Sequence, residues 1–270
     1  MKTSLLTSAL LAALLPVSAF AGAKEDVAAA AKKLTEAENY SWTTTTERVG
    51  GGGGGGGGNA PRMSPVEGKT LKSGISLITT KFGDNTSETY VKDGKVVTKR
   101  DGSWKTPEEI AAARSNDGGG GGGRGGRGGF GGGAGAFRNL KAPAEQIAET
   151  AGKIDKLEEK DGAITGALSA DSVKALLTYG GGGRRGGGGG DGGNRPEPRD
   201  VSGTVSYWLK DGTVAKVETH VKGTVSFNGE DREINRKTTT EISAVGSTKL
   251  EVPEEVTKKL AEAKPAEESK

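Results

Sequence analysis

Residues 201–227 read VSGTVSYWLKDGTVAKVETHVKGTVSF and carry the clearest strand and turn signals of the chain. Apolar and polar residues alternate over 201–210, which is the period of a half-buried β-strand. Asp211-Gly212 then gives a two-residue turn, and residues 214–222 return as a second strand. Because a connection this short cannot hold a crossover helix, the two strands must be antiparallel. The segment therefore predicts an antiparallel β-hairpin in the C-terminal half of the chain.

Similar strand and turn signals run through the rest of the chain. Thr70–Phe82 is expected to form one strand, with Gly74 marking a bulge or bend. Asp93-Gly94 is a strong hairpin signal, and Asp101-Gly102 marks a further turn. Residues 153–168 are expected to form a pair of strands about Asp161-Gly162. The remaining expected strands lie at 40–47, 88–91, 95–99, 223–227 and 233–245.

Five short helices are also predicted. Residues 25–39 carry apolar residues at helical spacing and acidic residues in the first turn, where these favour the helix dipole. Pro107 suits a first helical position, and Ser169 can cap a helix that follows it. The other helices are expected at 107–113, 142–151, 169–177 and from Pro253 onward. Antiparallel strands combined with separate helices indicate an α+β fold.

The N-terminus has the features of a secretory signal. Lys2 precedes an apolar run over 5–17, and Ala19-Phe20-Ala21 offers small residues at the two positions that a signal peptidase recognises. Residues 1–21 are therefore predicted to be a signal peptide, cleaved after Ala21 or after Ala23. No later segment approaches the roughly 18 to 20 apolar residues that span a bilayer. We expect a periplasmic or secreted protein with no transmembrane segment after signal removal.

Three glycine-rich tracts hold 34 of the 48 glycines. They occupy 50–58, 118–136 and 180–195. Glycine has no side chain to bury and loses much entropy when ordered, so all three tracts are expected to be disordered, mobile loops. The rest of 22–264 has the composition of one ordinary domain, and residues 265–270 are expected to be a flexible tail.

The charge balance is close to neutral, with 38 Lys and Arg against 35 Asp and Glu. This balance predicts no polyanionic partner. Residues 124–130 resemble the arginine-glycine boxes of RNA-binding segments. A signal peptide argues against that role, so no nucleic-acid partner is expected and a flexible surface insert is the preferred interpretation.

The sequence has no legible catalytic or metal-binding signature. It contains no cysteine, which excludes disulfides, thiolate metal sites and a cysteine nucleophile. His220 is the only histidine and is interpreted as a structural or surface residue of a strand. Carboxylate pairs such as Glu108-Glu109 and Glu254-Glu255 lie near helix starts, where they complement the dipole. We therefore expect a non-enzymatic protein with no metal and no cofactor.

Aromatic residues give a more suggestive pattern. Trp42, Trp104 and Trp208 come from different strands, and an antiparallel sheet could gather some of them on one concave face. Two interpretations stay open: plain core packing, or an apolar cavity between sheet and helices that holds an acyl chain. Under the second interpretation, the candidate ligand-binding residues are Tyr40, Trp42, Leu77, Trp104, Tyr207 and Trp208.

The order of elements resembles a known superfamily. The matching segments are a helix followed by Asn39-Tyr40-Ser41-Trp42, then Gly203–Glu218, Thr238-Thr239-Thr240-Glu241-Ile242, and Gly246 with Val252-Pro253. This pattern is similar to the LolA/LppX/RseB-like superfamily over most of the mature chain, and best over 203–253. The resemblance implies a strongly curved antiparallel sheet, an unclosed half-barrel, with helices packed on its concave face. Members of that family carry or sense lipoproteins or lipids.

Two departures from the family are plain: the glycine tracts, and the absence of the cysteine that anchors some members to a membrane. The leading hypothesis is a non-enzymatic periplasmic binding protein that carries or senses a lipid or lipoprotein acyl chain. The alternative is an envelope scaffolding protein whose Gly/Arg-rich loops contact partners or a polymer. An envelope hydrolase is the least favoured of the three. The ligand, the oligomeric state and the role of the tracts are left open by the sequence.

Overall fold

The computed structural model of the protein describes residues 22–50, 63–116, 140–180, 197–227 and 230–263. The predicted signal peptide, nearly all of each glycine tract and the predicted tail lie outside the described residues. The helices of the described part are α1 (Ala23–Glu36), α2 (Pro107–Asn116), α3 (Pro143–Gly152), α4 (Ala170–Gly180) and α5 (Glu254–Glu262). None of these five helices combines the length and apolar character that a membrane span requires.

Eleven strands are present in the same ranges. They are β1 (Asn39–Arg48), β2 (Met63–Leu71), β3 (Ser76–Phe82), β4 (Asn85–Lys92), β5 (Lys95–Arg100), β6 (Ser103–Lys105), β7 (Leu157–Lys160), β8 (Ala163–Ala167), β9 (Arg199–Lys210), β10 (Thr213–Phe227) and β11 (Glu230–Ser243).

All eleven strands belong to one antiparallel sheet, in the order β6-β5-β4-β3-β2-β1-β11-β10-β9-β8-β7. Strands β1 to β6 form one meander and β7 to β11 form another. The two meanders meet where β1 pairs with β11, with Trp42 opposite Ile242. The outermost strands β6 and β7 do not pair with each other, so the sheet formed by the described strands is curved but open. The α+β fold with an unclosed antiparallel sheet is thereby confirmed.

Asp-Gly turns connect strands where the sequence indicated them. Both residues of each turn have positive φ, at 49° to 53° for the aspartates and 72° to 78° for the glycines. Paired positive φ angles are typical of the type I′ turn, whose twist matches that of a hairpin. The four turns are Asp93-Gly94, Asp101-Gly102, Asp161-Gly162 and Asp211-Gly212.

The segment expected as one strand over Thr70–Phe82 is instead the end of β2, a turn and β3. The chain reverses after Leu71, and the backbone N–H of Gly74 donates to the Leu71 carbonyl at 2.9 Å. Gly74 has a φ of +82°, which glycine adopts without strain. Gly74 therefore lies at a bend in the connection between β2 and β3, which is one of the two alternatives that the sequence pattern suggested.

The inner face of the sheet is the face on which Trp42, Ile78 and Tyr207 lie. Three helices, α1, α3 and α4, pack against it and form the main apolar core with it. Their core residues recur at helical spacing, which is how a helix presents one apolar face to a sheet. The residues concerned are Val27, Ala30, Ala31 and Leu34 of α1, Ala144, Ile147 and Ala151 of α3, and Val173 and Leu177 of α4.

The outer face also carries a helix. Val256 and Leu260 of α5 form a second apolar cluster with Tyr90 and Val97. These two strand residues alternate with Val91 and Val96, which belong to the inner core. Strands β4 and β5 are therefore apolar on both faces, and a cover is needed on each side. The family resemblance led us to expect helices on the concave face, and α5 is an addition on the opposite one.

Candidate functional site

Tyr40 and Trp42 lie at neighbouring inner-face positions of β1, and both are buried. The indole Nε1 of Trp42 donates to Thr70 Oγ1 at 3.1 Å. The Tyr40 hydroxyl accepts a hydrogen bond from the backbone N–H of Ala144, in the first turn of α3, at 3.4 Å. The polar atoms of both rings are therefore engaged within the core, and the rings fix the position of α3 over the sheet.

Tyr207 of β9 lies on the same face but has no such partner. Its side chain is 0% exposed, and its hydroxyl forms no hydrogen bond in the described structure. Its cross-strand neighbours are the apolar residues Ile164 and Val217. Burial raises the pKa of the Tyr207 hydroxyl, since nothing nearby stabilises a phenolate. A buried hydroxyl without a partner costs about 1 to 3 kcal/mol of stability.

The other three candidate residues lie on the outer face. Leu77 and Trp104 pack in the α5 cluster, where the Trp104 and Tyr90 rings meet edge to face at 5.1 Å. Trp208 lies beneath Lys216, whose Nζ is 3.4 Å from the ring centroid. The structure thus brings Tyr40, Trp42 and Tyr207 to one face and separates them from these three. A ligand-binding role for any of the six remains a prediction.

Between the helices, the middle of the inner face carries four threonines that we call the threonine strip: Thr44, Thr46, Thr238 and Thr240. Thr44 Oγ1 and Thr240 Oγ1 are 2.8 Å apart, and Thr46 Oγ1 and Thr238 Oγ1 are 3.4 Å apart, so each cross-strand pair shares a hydrogen bond. All four residues are only half-buried. Val66 and Val217 flank the Thr44–Thr240 pair on β2 and β10 and are half-buried as well.

One end of the threonine strip adjoins α4, which sits very close to β9 and β10. Glycines allow this approach, because a Cβ at Gly203 would lie 2.8 Å from Val173 and one at Gly223 would lie 2.5 Å from Leu177. Val221 of β10, which is opposite Gly203 of β9 and two residues before Gly223, is 2% exposed. The strip is therefore bordered at this end by a tightly packed helix.

Two arginines face each other across β1 and β11 on this face, and one of them contacts α4. Arg48 of β1 is the Cα partner of Arg236 of β11, and Arg236 is in turn the partner of Val221. The guanidinium Nη2 of Arg236 donates to the Leu176 carbonyl at 2.6 Å. Burial lowers the pKa of the Arg236 guanidinium. The threonine strip and this arginine pair were both missed by our sequence reasoning, although the period of two through residues 234–242 places Arg236 on the face of Ile242.

His220 lies on the outer face, where its Nε2 is 2.6 Å from Asn235 Oδ1. Within the described ranges, no group of three histidine, aspartate or glutamate residues could hold a metal ion. Glu109 caps α2 through the Thr106 backbone N–H at 2.7 Å and bonds Lys259 of α5 at 2.5 Å. The Lys259 hydrogen bond, followed by the Thr106 one, lowers the pKa of the Glu109 carboxyl. This carboxylate thus has a role in joining two helices.

No family model matches the chain, and no curated protein does either. The chain is similar to LprF from Mycobacterium bovis. That crystal structure shares 11% identity with this chain, covers 86% of it and 96% of its own length, and superposes with a TM-score of 0.41.

The inner face around the threonine strip combines apolar and polar groups. Around the threonine strip lie hydroxyl and apolar side chains, with a pair of guanidinium groups at one end. Such surfaces hold an amphiphilic molecule by apolar contact and orient it by a few polar groups.

Proposed function

We propose that the protein is a non-enzymatic periplasmic binding protein that carries or senses a lipid or lipoprotein acyl chain on the inner face of its sheet. The observation that carries the proposal is the half-buried threonine strip, which lies on the same face as the apolar core yet is not sealed by the helices beside it. Export, as predicted from residues 1–21, would bring the protein to a compartment in which lipids are moved between membranes.

The strip has the chemistry of an acyl-chain support. Each threonine hydroxyl already shares a hydrogen bond with its cross-strand partner. An apolar chain lying over these groups therefore strips less solvent from unsatisfied polar atoms than it would over free hydroxyls. Val66 and Val217 extend the surface with fully apolar side chains on both sides. An acyl chain would gain roughly 0.8 kcal/mol for each methylene that it buries here.

The proposal is tested by purifying the full-length exported protein under native conditions and extracting it for mass spectrometry of bound lipid. In parallel, displacement of dansyl-labelled undecanoic acid by monopalmitoylglycerol measures acyl binding directly. Thr240→Trp would fill the strip and should weaken binding by about tenfold or more, equivalent to about 1.4 kcal/mol. Thr239→Trp is the matched control, because Thr239 neighbours Thr240 on β11 but pairs with Thr45 and Glu218 on the outer face.

An empty protein that leaves the fluorescence of the probe unchanged would rule out acyl binding. Equal loss of binding in Thr239→Trp and Thr240→Trp would also count against the strip as the binding surface. The alternative hypothesis, an envelope scaffold acting through the Gly/Arg-rich tracts, depends on residues outside the described ranges and stays a prediction.

A further inference from the structure

The charge pattern differs between the two faces of the sheet where β1, β11 and β10 run side by side. On the outer face, Lys237 stands opposite Glu47 and bonds Glu218 at 2.8 Å. On the inner face, the next position pairs Arg48 with Arg236. Directly opposed residues of an antiparallel pair have Cβ atoms about 4.5 to 5.5 Å apart, and like charges there are destabilising. The outer face is thus neutralised while the inner face retains two adjacent cations.

No carboxylate compensates these cations in the described part of the chain. Neither Arg48 nor Arg236 forms an ion pair with a described aspartate or glutamate. Arg236 is half-buried between Val221 and α4, and it uses one of its five N–H donors on the Leu176 carbonyl. The other donors of Arg236 have no partner among the described residues, and its cross-strand neighbour is a second arginine, so an anion would stabilise this pair of positions. The remaining donors suit a carboxylate or phosphate, which arginine binds bidentately.

The position of the arginine pair relative to the strip gives the ligand a direction. Along β11, Arg236 is followed on the same face by Thr238, Thr240 and the buried Ile242. At roughly 3.4 Å per residue, the path from Arg236 to Ile242 is about 20 Å. A charged group at the arginines would therefore leave an attached chain lying over the strip, with its end directed toward the apolar core around Trp42.

We propose that Arg48 and Arg236 bind the carboxylate or phosphate headgroup of an acyl ligand whose chain lies along the threonine strip. The inference rests on the proposed function and narrows it to anionic amphiphiles. The headgroup neutralises the arginine pair, and the acyl chain supplies apolar contact. A free anion would contact only the arginines, and an uncharged acyl chain would contact only the strip.

The test compares four competitors in the displacement assay: palmitate, lysophosphatidic acid, the neutral monopalmitoylglycerol, and inorganic phosphate. The probe is a neutral dansyl-labelled fatty alcohol, because an anionic probe would itself bind the arginines before the competitor is added. We expect both anionic lipids to bind at least about tenfold more tightly than monopalmitoylglycerol, since hydrogen bonds to charged groups are roughly twice as strong as those between neutral groups. Inorganic phosphate should not displace the probe.

Arg236→Gln and Arg48→Gln should each remove most of the preference for anionic lipid while leaving monopalmitoylglycerol binding within about twofold, and Arg236→Lys should retain part of the preference. Lys237→Gln is the matched control, because it removes the same charge at the adjacent outer-face position. Melting temperatures show that each variant folds. Arg48 is exposed, so its variant stays informative even if Arg236→Gln is unstable.

Equal affinity for neutral and anionic lipids would overturn the arginine site while leaving acyl binding intact. The same holds if Lys237→Gln loses as much of the preference for anionic lipid as the arginine variants do. If inorganic phosphate displaces the probe at the concentrations used for the lipids, the arginines bind a free anion, and the proposal that the ligand is an amphiphile is wrong. Failure of all four competitors overturns acyl binding, and this inference with it.

Discussion

The indole ring of Trp42 lies directly over the backbone of Gly68, its cross-strand partner on β2, and a Cβ at residue 68 would overlap the ring. Gly68 is itself buried, and on its other side it pairs with Ile78 of β3. Glycine is required here by the close approach of an aromatic ring, which is one reason for glycine within a strand.

Gly68→Ala should therefore force Trp42 away from Thr70 and lower the free energy of unfolding by about 1 to 3 kcal/mol, as overpacking typically does. Urea denaturation followed by tryptophan fluorescence measures this loss. Gly152→Ala is the control, because Gly152 ends α3 with nothing within 4 Å of its Cβ position. A Gly68→Ala protein as stable as the wild type would contradict the packing described here.

Tyr207→Phe removes the buried hydroxyl that has no partner. We expect the free energy of unfolding of the ligand-free protein to stay the same or rise by about 1 kcal/mol, because no hydrogen bond is lost and a desolvated group disappears. Tyr90→Phe provides the contrast: the Tyr90 hydroxyl donates to the Glu251 carbonyl at 3.0 Å, so its loss should destabilise by about 1 kcal/mol. Thermal unfolding of both variants gives the comparison, and destabilisation by Tyr207→Phe would show that its hydroxyl is satisfied.

Leu260→Ala tests how much the packing of α5 on the outer face contributes to stability. Leu260 of α5 is 4% exposed and packs in the cluster with Tyr90 and Val97. Truncation of a buried leucine costs about 2 to 5 kcal/mol, and we expect a value in that range from chemical denaturation. Lys258→Ala, at an exposed position of the same helix, should stay within about 0.5 kcal/mol of the wild type. Similar values for both variants would mean that α5 contributes little to the fold.

The hydrogen bonds of Glu149 predict that the stability of the fold depends on pH. Hydrogen bonds from Lys141 at 2.8 Å and Lys153 at 2.6 Å lower the pKa of the Glu149 carboxyl to about 2. Because the folded-state pKa lies below the unfolded value of about 4.5, the stabilisation is complete above pH 4.5 and disappears as the pH falls toward 2.

Glu149→Gln should accordingly lower the melting temperature at neutral pH, with a difference from the wild type that shrinks between pH 4.5 and 2 and is reduced by salt. Glu159→Gln, at an exposed position of β7, serves as the control for the loss of one surface carboxylate. A melting-temperature difference that stays constant down to pH 2 would disagree with the lowered pKa of Glu149.

Local signals in the sequence predicted much of the fold. Each Asp-Gly turn named from the sequence is a turn in the structure, because the preference of these residues for positive φ acts within two positions of the chain. The helices at 142–151 and 169–177 were found within a few residues as α3 and α4. Their apolar spacing is likewise a local property.

Contacts across the sheet were much less predictable. Tyr207 and Trp208 were grouped in one candidate cavity, yet consecutive strand residues point to opposite faces, and only Tyr207 lies on the inner one. The pairing of Arg48 with Arg236 depends on which strands are neighbours, and no residue near either position specifies that order. The outer-face location of α5 depends similarly on Tyr90 and Val97, which were not recognised as apolar on a second face.

The seam between β1 and β11 has a consequence for how the protein reaches its native state. β1 begins at Asn39 and β11 ends at Ser243, so the centre of the sheet is assembled from the two extremes of the domain. Loop closure over such a distance is slow compared with the formation of either meander. During synthesis, the first meander therefore forms with one side of β1 unpaired, and it stays so until β11 is available. We expect this intermediate to be the aggregation-prone species and the one that a chaperone recognises.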